Sequence, residues 1–287
     1  MSDSTDLEIP GVVTLTDGAG GLPKVLIETP WSSAEIYLHG AHVTHFQKKG
    51  EPPLLFMSES SEFSSDKPIR GGVPIIFPWF GPREGLPAHG FARTAAWRLT
   101  ATSLRPDGSV GLFFHLPAIG PEEVEFTVSV GETLAMELIV RNASDTDLTF
   151  ETCLHTYFQV SAIHDISITG LAGVTYLDKV AGTSTTETSA PIRITGEVDR
   201  VYQDTTTAVE IEDPGYGRII RVAKSGSTST VVWNPWIDKS KRMPDFGDDE
   251  YLHMVCVESG NVAANKITLP AGECAVMEVV VSSAKIR

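Results

Sequence analysis

The chain has 287 residues, 41% of them hydrophobic, enough apolar material for one large all-β domain or two ordinary ones. Its 22 basic residues against 37 acidic ones leave a formal charge of −15, which argues against the basic surfaces that nucleic acid or an anionic membrane requires. No apolar run approaches a membrane span, and the polar, acidic MSDSTDLEIPG lacks the basic and apolar regions of a secretory signal, so a cytoplasmic protein is expected.

Short β-branched and aromatic runs begin at 24–28 (KVLIE) and 34–38 (AEIYL), where strands are expected. The following HGAHVTH holds His39, His42 and His45. On a strand His42 points away from the other two, and no Cys or carboxylate is interleaved, so no metal site is expected there. Residues 58–66 (SESSEFSSD) suggest one short helical turn.

Residues 67–93, KPIRGGVPIIFPWFGPREGLPAHGFAR, break this rhythm. Prolines remove backbone donors and fix φ, so the segment is irregular backbone packed by its own rings. Lys67, Arg70, Arg83 and Arg93 stand against one acid, Glu84. A positive patch on so acidic a chain points to a small-anion site, because guanidinium groups capture phosphate or carboxylate bidentately. The alternative is an Ω-loop with solvated arginines.

Strand patterns resume at 110–116 (VGLFFHL), 124–130 (VEFTVSV), 134–140 (LAMELIV) and 148–160 (LTFETCLHTYFQV). In the last, alternation puts Cys153, His155 and Tyr157 on one face. His155 reads either as a hydrogen-bonded core histidine or as a proton donor and acceptor near neutral pH. The segments 181–190 (AGTSTTETSA) and 238–250 (DKSKRMPDFGDDE) read as surface loops. Between them, in GEVDRVYQD, Asp199 is suited to accepting sugar hydroxyls or to pairing with a nearby Arg.

Further strands are expected at 218–223 (RIIRVA), 230–233 (TVVW), 251–257 (YLHMVCV) and 275–281 (AVMEVVV). WNPW follows the second of these, and Trp233 there can stack on a sugar ring or plug the end of a sandwich. Glu258 follows the third, before Ser259-Gly260-Asn261. A partly desolvated carboxylate there is a better base, although strands also end in charge simply at the surface. Cys153, Cys256 and Cys274 are odd in number and lack metal-type spacing; buried free thiols in a reducing compartment are expected. No window keeps a helical apolar stripe, no repeat of fixed period occurs, and neither loop separates two compositions. The expected fold is all-β, a large antiparallel β-sandwich, with residues 1–287 as a single domain. P-loop, dinucleotide-binding, GxSxG and HExxH motifs are all missing.

In order along the chain, KPIRGGVPIIFPWFG, LPAHGFAR, LHTYF, DRVY, VVWNPW and VCVESGNV resemble the hexose-6-phosphate mutarotases of the aldose 1-epimerase superfamily. The resemblance spans most of the chain. It implies a galactose-mutarotase-like sandwich that interconverts the α and β anomers of a hexose 6-phosphate, glucose 6-phosphate being expected, without a cofactor. It implies His155 as the acid on the ring oxygen and Glu258 as the base on the anomeric hydroxyl. His89, Arg70, Arg93 and Asp199 become substrate contacts. The family commonly has Gln before HGFAR; here Ala88 stands there and has no side-chain hydrogen bond to offer, which leaves the hexose identity open. A monomer with a small sugar phosphate as partner is expected. A non-catalytic carbohydrate-binding sandwich would use the same aromatics and arginines without the acid/base pair. A glycoside hydrolase usually needs two carboxylates flanking the bond, which a His/Glu pair fits less well.

Overall fold

The computed structural model describes residues 7–118 and 120–286. Two eight-stranded antiparallel sheets dominate it. One runs Ser167–Thr169, Val209–Asp213, Arg218–Ser225, Cys274–Lys285, Leu134–Asn142, Glu122–Val130, Val110–Leu116, Arg98–Leu104. The other runs Thr183–Thr186, Thr175–Asp178, Val198–Tyr202, Ser229–Asn234, Met254–Asn261, Thr152–Leu154, Ile75–Ile76, with Tyr157–Gln159 also on Met254–Asn261. A four-stranded meander, Val13–Asp17 through His42–Lys48, forms a third sheet. Among the described residues no helix is long and apolar enough to cross a membrane.

Alternation explains which side chains make the core. Phe126, Leu138 and Val222 of the first large sheet join Val198, Val232, Val255 and Val257 of the second in one apolar cluster, the sandwich interior. The intervening residues of Ser229–Asn234 and Met254–Asn261 are buried as well. Val231, Trp233, Cys256 and Glu258 therefore occupy the opposite face of their sheet, a face roofed by loops rather than by water. The functional pocket is built on that roofed face.

Several expectations need correction. The run 148–160 is three short strands, Leu148–Phe150, Thr152–Leu154 and Tyr157–Gln159. The breaks fall where backbone amides turn to the irregular segment: Glu151 N–H donates to Pro78 O and His155 N–H to Pro74 O. Glu258 is not at a strand end, because Met254–Asn261 continues past it. Gly260 is a strand position where a Cβ would stand 2.5 Å from Thr152 O, so only glycine lets the two strands approach. Residues 58–66 contain turns but no helix. The segment 181–190 includes the exposed edge strand Thr183–Thr186, and 238–250 overlaps the short helix Trp236–Ser240. Cys153 and Cys256 are buried, but Cys274 is exposed, since it falls on the solvent phase at the start of its strand.

Candidate active site

Backbone dictates where the two central side chains meet. Thr152–Leu154 pairs with Met254–Asn261 in the register Cys153↔Gly260, and Tyr157–Gln159 pairs with the same strand as Tyr157↔Cys256. His155 sits in the gap between these two ladders, opposite Glu258. Its Nε2 lies 3.3 Å from Glu258 Oε1. Glu258 is 1% exposed and His155 8%. The Cys153 thiol donates to the other carboxylate oxygen over 3.5 Å, so Cys153, His155 and Tyr157 do share a face. His155 stacks on Tyr157 at 4.9 Å and meets Trp233 edge-on at 5.9 Å. Trp233 is buried and lines the pocket rather than standing free in solvent.

Burial, then the charge of Asp199, pushes the Glu258 carboxyl well above its ordinary range. Burial, with the nearby guanidinium charges of Arg70 and Arg93, pushes His155 well below its own. Each shift disfavours the charged form of an ionisable group that has been taken out of water.

Above this pair opens a pocket of about 330 Å³, within the range of small-ligand sites. Arg70, Ala88, His89, Arg93, Tyr157, Lys179, Asp199, Trp233 and Lys239 all line it, so every binding residue expected from the sequence is present. The basic stretch contributes only in part. Lys67 is exposed beside Glu62, and Arg83 lies on the Trp79 ring at 4.8 Å, both away from the pocket. Arg70 is held by Asp245, whose Oδ2 accepts from Nε at 3.1 Å and Nη2 at 2.9 Å, and it donates to the Tyr157 hydroxyl. Arg93 donates to the Ala88 carbonyl at 2.7 Å, and among the described residues it has no carboxylate partner. Burial and the neighbouring Arg70 charge lower its guanidinium to about 10.

His89 has φ 66°, a left-handed conformation unusual for a side-chain-bearing residue. Gly90 follows with φ 73°, and a Cβ there would stand 2.0 Å from Phe77 O. This tight turn brings the His89 ring against Phe80 at 4.9 Å and His155 at 5.8 Å. Its Nδ1 accepts from Gly81 N–H, which leaves Nε2–H as a donor, and burial lowers its pKa to about 3, so the ring is neutral.

Among the described residues Asp199 pairs with no arginine. Lys179 and Lys239 flank it at 3.9 and 3.6 Å, while Arg200 turns to Asp178 and Glu187. Lys179 also lies over Phe80 and Lys239 over Trp233. These lysines, and Asp245 with them, come from polar segments with no apolar period, so the sequence offered no signal for them. Of the HGAHVTH histidines, His39 and His42 bond the carbonyls of Lys67 and Gly71, and His45 contacts Ser33. The one group of potential metal donors among the described residues lies elsewhere: His155, Cys256 and Glu258.

Comparison with known proteins gives one answer at three levels. Residues 23–282 match the family model described as aldose 1-epimerase. A protein of Cenchrus ciliaris provisionally named glucose-6-phosphate 1-epimerase is 36% identical over 271 residues, covering 88% of this chain and 82% of its own. An Escherichia coli K12 protein with the same provisional name is 36% identical over 247 residues, 83% of each chain. The crystal structure of a provisionally named mutarotase from Salmonella typhimurium superposes with TM-score 0.90 at 28% identity, covering 98% of this chain and 96% of that one. A galactose mutarotase-like protein from Clostridium acetobutylicum shares the fold at TM-score 0.69 and 14% identity.

Proposed function

The chain belongs to the aldose 1-epimerase family, isomerases that interconvert the anomers of a sugar, and on that premise we propose that it acts on a hexose 6-phosphate through His155 and Glu258. Ring opening removes a proton from the anomeric hydroxyl and delivers one to the ring oxygen. Both oxygens are bonded to C1, so acid and base must converge on one small region. The 3.3 Å separation of His155 Nε2 and Glu258 Oε1 at the foot of the pocket is the observation that carries this reading.

The Glu258 carboxylate takes the proton from the anomeric oxygen while the His155 imidazolium protonates the ring oxygen. The bond from C1 to the ring oxygen breaks and the open aldehyde forms. Rotation about C1–C2 presents the other carbonyl face. The ring hydroxyl then returns its proton to His155, and Glu258 returns its own to the carbonyl oxygen. The pair carries one proton before and after, so no external acid, base or redox partner is needed. A carboxylate with a raised pKa is a stronger base, and an imidazolium with a lowered pKa a stronger acid, than either in water. The cost is that the reactive arrangement is the less populated tautomer of the pair.

Substrate orientation falls to the rest of the pocket. His89 Nε2–H and the Asp199 carboxylate are matched to sugar hydroxyls, and Trp233 offers apolar surface. Arg93, cationic and without a carboxylate partner among the described residues, is suited to the 6-phosphate, with Arg70 beside it. Remote binding energy then orients the reacting end. The names of the Cenchrus and Escherichia relatives support the phosphorylated substrate. The proposal takes the chain as one domain working as a monomer, in the cytoplasm where a hexose 6-phosphate substrate would be met.

Exchange NMR on glucose 6-phosphate tests this. Wild-type protein is expected to accelerate exchange between anomers, and Glu258→Gln to reduce the acceleration by about 10²–10⁴-fold while sugar-phosphate binding persists. Full activity in Glu258→Gln would remove the carboxylate from the mechanism.

A further inference from the structure

Behind the acid/base pair lies a thiol that the isomerisation does not use. Cys256 is two residues before Glu258 on the same strand and shares its face, and it is fully buried among Tyr157, Trp233 and Met254. A ring nitrogen of His155, Cys256 Sγ and a Glu258 carboxylate oxygen all lie within 4.8 Å of one another. We propose that these three side chains form a binding site for a thiophilic divalent cation such as Zn²⁺, and that occupancy switches the isomerase off.

The geometry fits that ion. Nitrogen and oxygen ligands each about 2.0–2.1 Å from a tetrahedral zinc stand about 3.3 Å apart. The His155–Glu258 separation of 3.3 Å is already that tetrahedral edge. A sulfur at about 2.3 Å from zinc lies about 3.6 Å from the other ligands, and with the three donors already within 4.8 Å the thiol has no more than about 1 Å to close. The fourth corner is left to water. One imidazole, one carboxylate and one thiolate bring two negative charges to a dication, and the filled site is neutral, as a buried site requires. On binding, the thiol proton and the single proton of the His155–Glu258 pair leave to solvent. Thiolate with imidazole selects zinc over magnesium or calcium, which prefer oxygen.

The inhibitory consequence rests on the proposed function, because zinc on His155 and Glu258 withholds both proton carriers. The site itself does not rest on it, and the two are separable. Cobalt(II) is titrated into the full chain carrying Cys274→Ser, which removes the exposed thiol. A thiolate-to-cobalt charge-transfer band and tetrahedral visible bands are expected, saturating at one ion per chain, and adding Cys256→Ala should abolish the charge-transfer band. In the exchange assay Zn²⁺ should inhibit completely, reversibly with chelator and in competition with the sugar phosphate. Cys256→Ala should keep the basal rate within about twofold and require at least about tenfold more zinc. A cobalt spectrum without the thiolate band, or a band unchanged in Cys256→Ala, would overturn the site whatever the enzyme's activity. Equal zinc sensitivity of the two proteins would overturn the inhibition. Should the alanine variant fold poorly, Cys256→Ser, which keeps the size of the side chain, takes its place, and Cys153→Ser, whose band should persist, excludes the other thiol near Glu258. Absence of any anomer exchange, with the cobalt band present, would count against the proposed function and leave the site standing.

Discussion

Asp245 grips Arg70 from one side of the pocket: a single carboxylate oxygen accepts from both Nε and Nη2, at 3.1 and 2.9 Å. The pair is mostly buried, and the Tyr157 hydroxyl takes a third guanidinium donor, Nη1. Asp245→Asn removes the charge that pins Arg70 and leaves that guanidinium both mobile and uncompensated. As a positioning residue, Asp245 should act through binding: KM for the hexose 6-phosphate rises about tenfold or more while kcat changes less than about threefold. Steady-state exchange kinetics separate the two. A fall in kcat with unchanged KM would assign Asp245 another role.

Glu258 trades stability for basicity. Its pKa is raised in the folded chain, so the stability it contributes is complete below the ordinary carboxylate range and is lost as pH rises through the raised value. Glu258→Gln removes that loss. The variant should match wild type in Tm near pH 4 and exceed it near pH 8 by at least about 2–4 °C, the equivalent of at least about 1 kcal/mol in a chain of this size, with the margin growing as pH rises between the two. Thermal unfolding of both proteins across that range is the check, and a variant less stable than wild type at pH 8 would contradict the burial argument.

The rate should be broad in pH for the same reason. Activity requires one proton on the His155–Glu258 pair. With ordinary values of about 6.5 and 4.3 that state would fade on either side of a narrow acidic window. Here the second proton adds only at the lowered His155 value, and the last leaves only at the raised Glu258 value. The limbs therefore move apart, and kcat should vary less than about twofold between about pH 6 and about pH 8. Measurement at saturating substrate avoids the titration of the sugar phosphate itself. A bell centred near pH 5.5, falling tenfold by pH 8, would indicate an acid and a base in ordinary solvent.

What was legible beforehand follows from what has a period. Strand alternation was enough to assign the antiparallel sandwich and to set Cys153, His155 and Tyr157 on one face. It could not bring His155 to Glu258, because that meeting is a long-range register, Cys153↔Gly260 and Tyr157↔Cys256, which only the family resemblance anticipated. Polar connections were read as loops, and loops they mostly are, but Lys239 and Asp245 reach back over the roofed face from 238–250. In sequence the basic stretch 67–93 is one patch, but its backbone sends Arg70 and Arg93 inward and Lys67 and Arg83 away. Strands such as Arg98–Leu104, in which only Leu99 is buried, lacked the apolar alternation needed to announce them.

The two inward arginines are not equivalent, and the difference predicts how phosphate is read. Arg70 is held by Asp245, which fixes the direction of its donors and offsets part of its charge, so its share in phosphate binding is chiefly geometric. Among the described residues Arg93 is anchored only to the Ala88 carbonyl, and burial with the Arg70 charge lowers it to about 10, the mark of a cation short of a counter-anion. A charge-assisted hydrogen bond contributes about 1.5–3 kcal/mol, so Arg93→Ala should lower kcat/KM for the hexose 6-phosphate by about 10–150-fold. The free hexose, which carries no anion, should lose less than about threefold. Parallel exchange measurements on glucose and glucose 6-phosphate with wild type and variant give the ratio directly. Equal losses on the two sugars would mean that Arg93 contacts the ring and that the phosphate is held by other groups, with Lys179 and Lys239 beside Asp199 the next cations in reach.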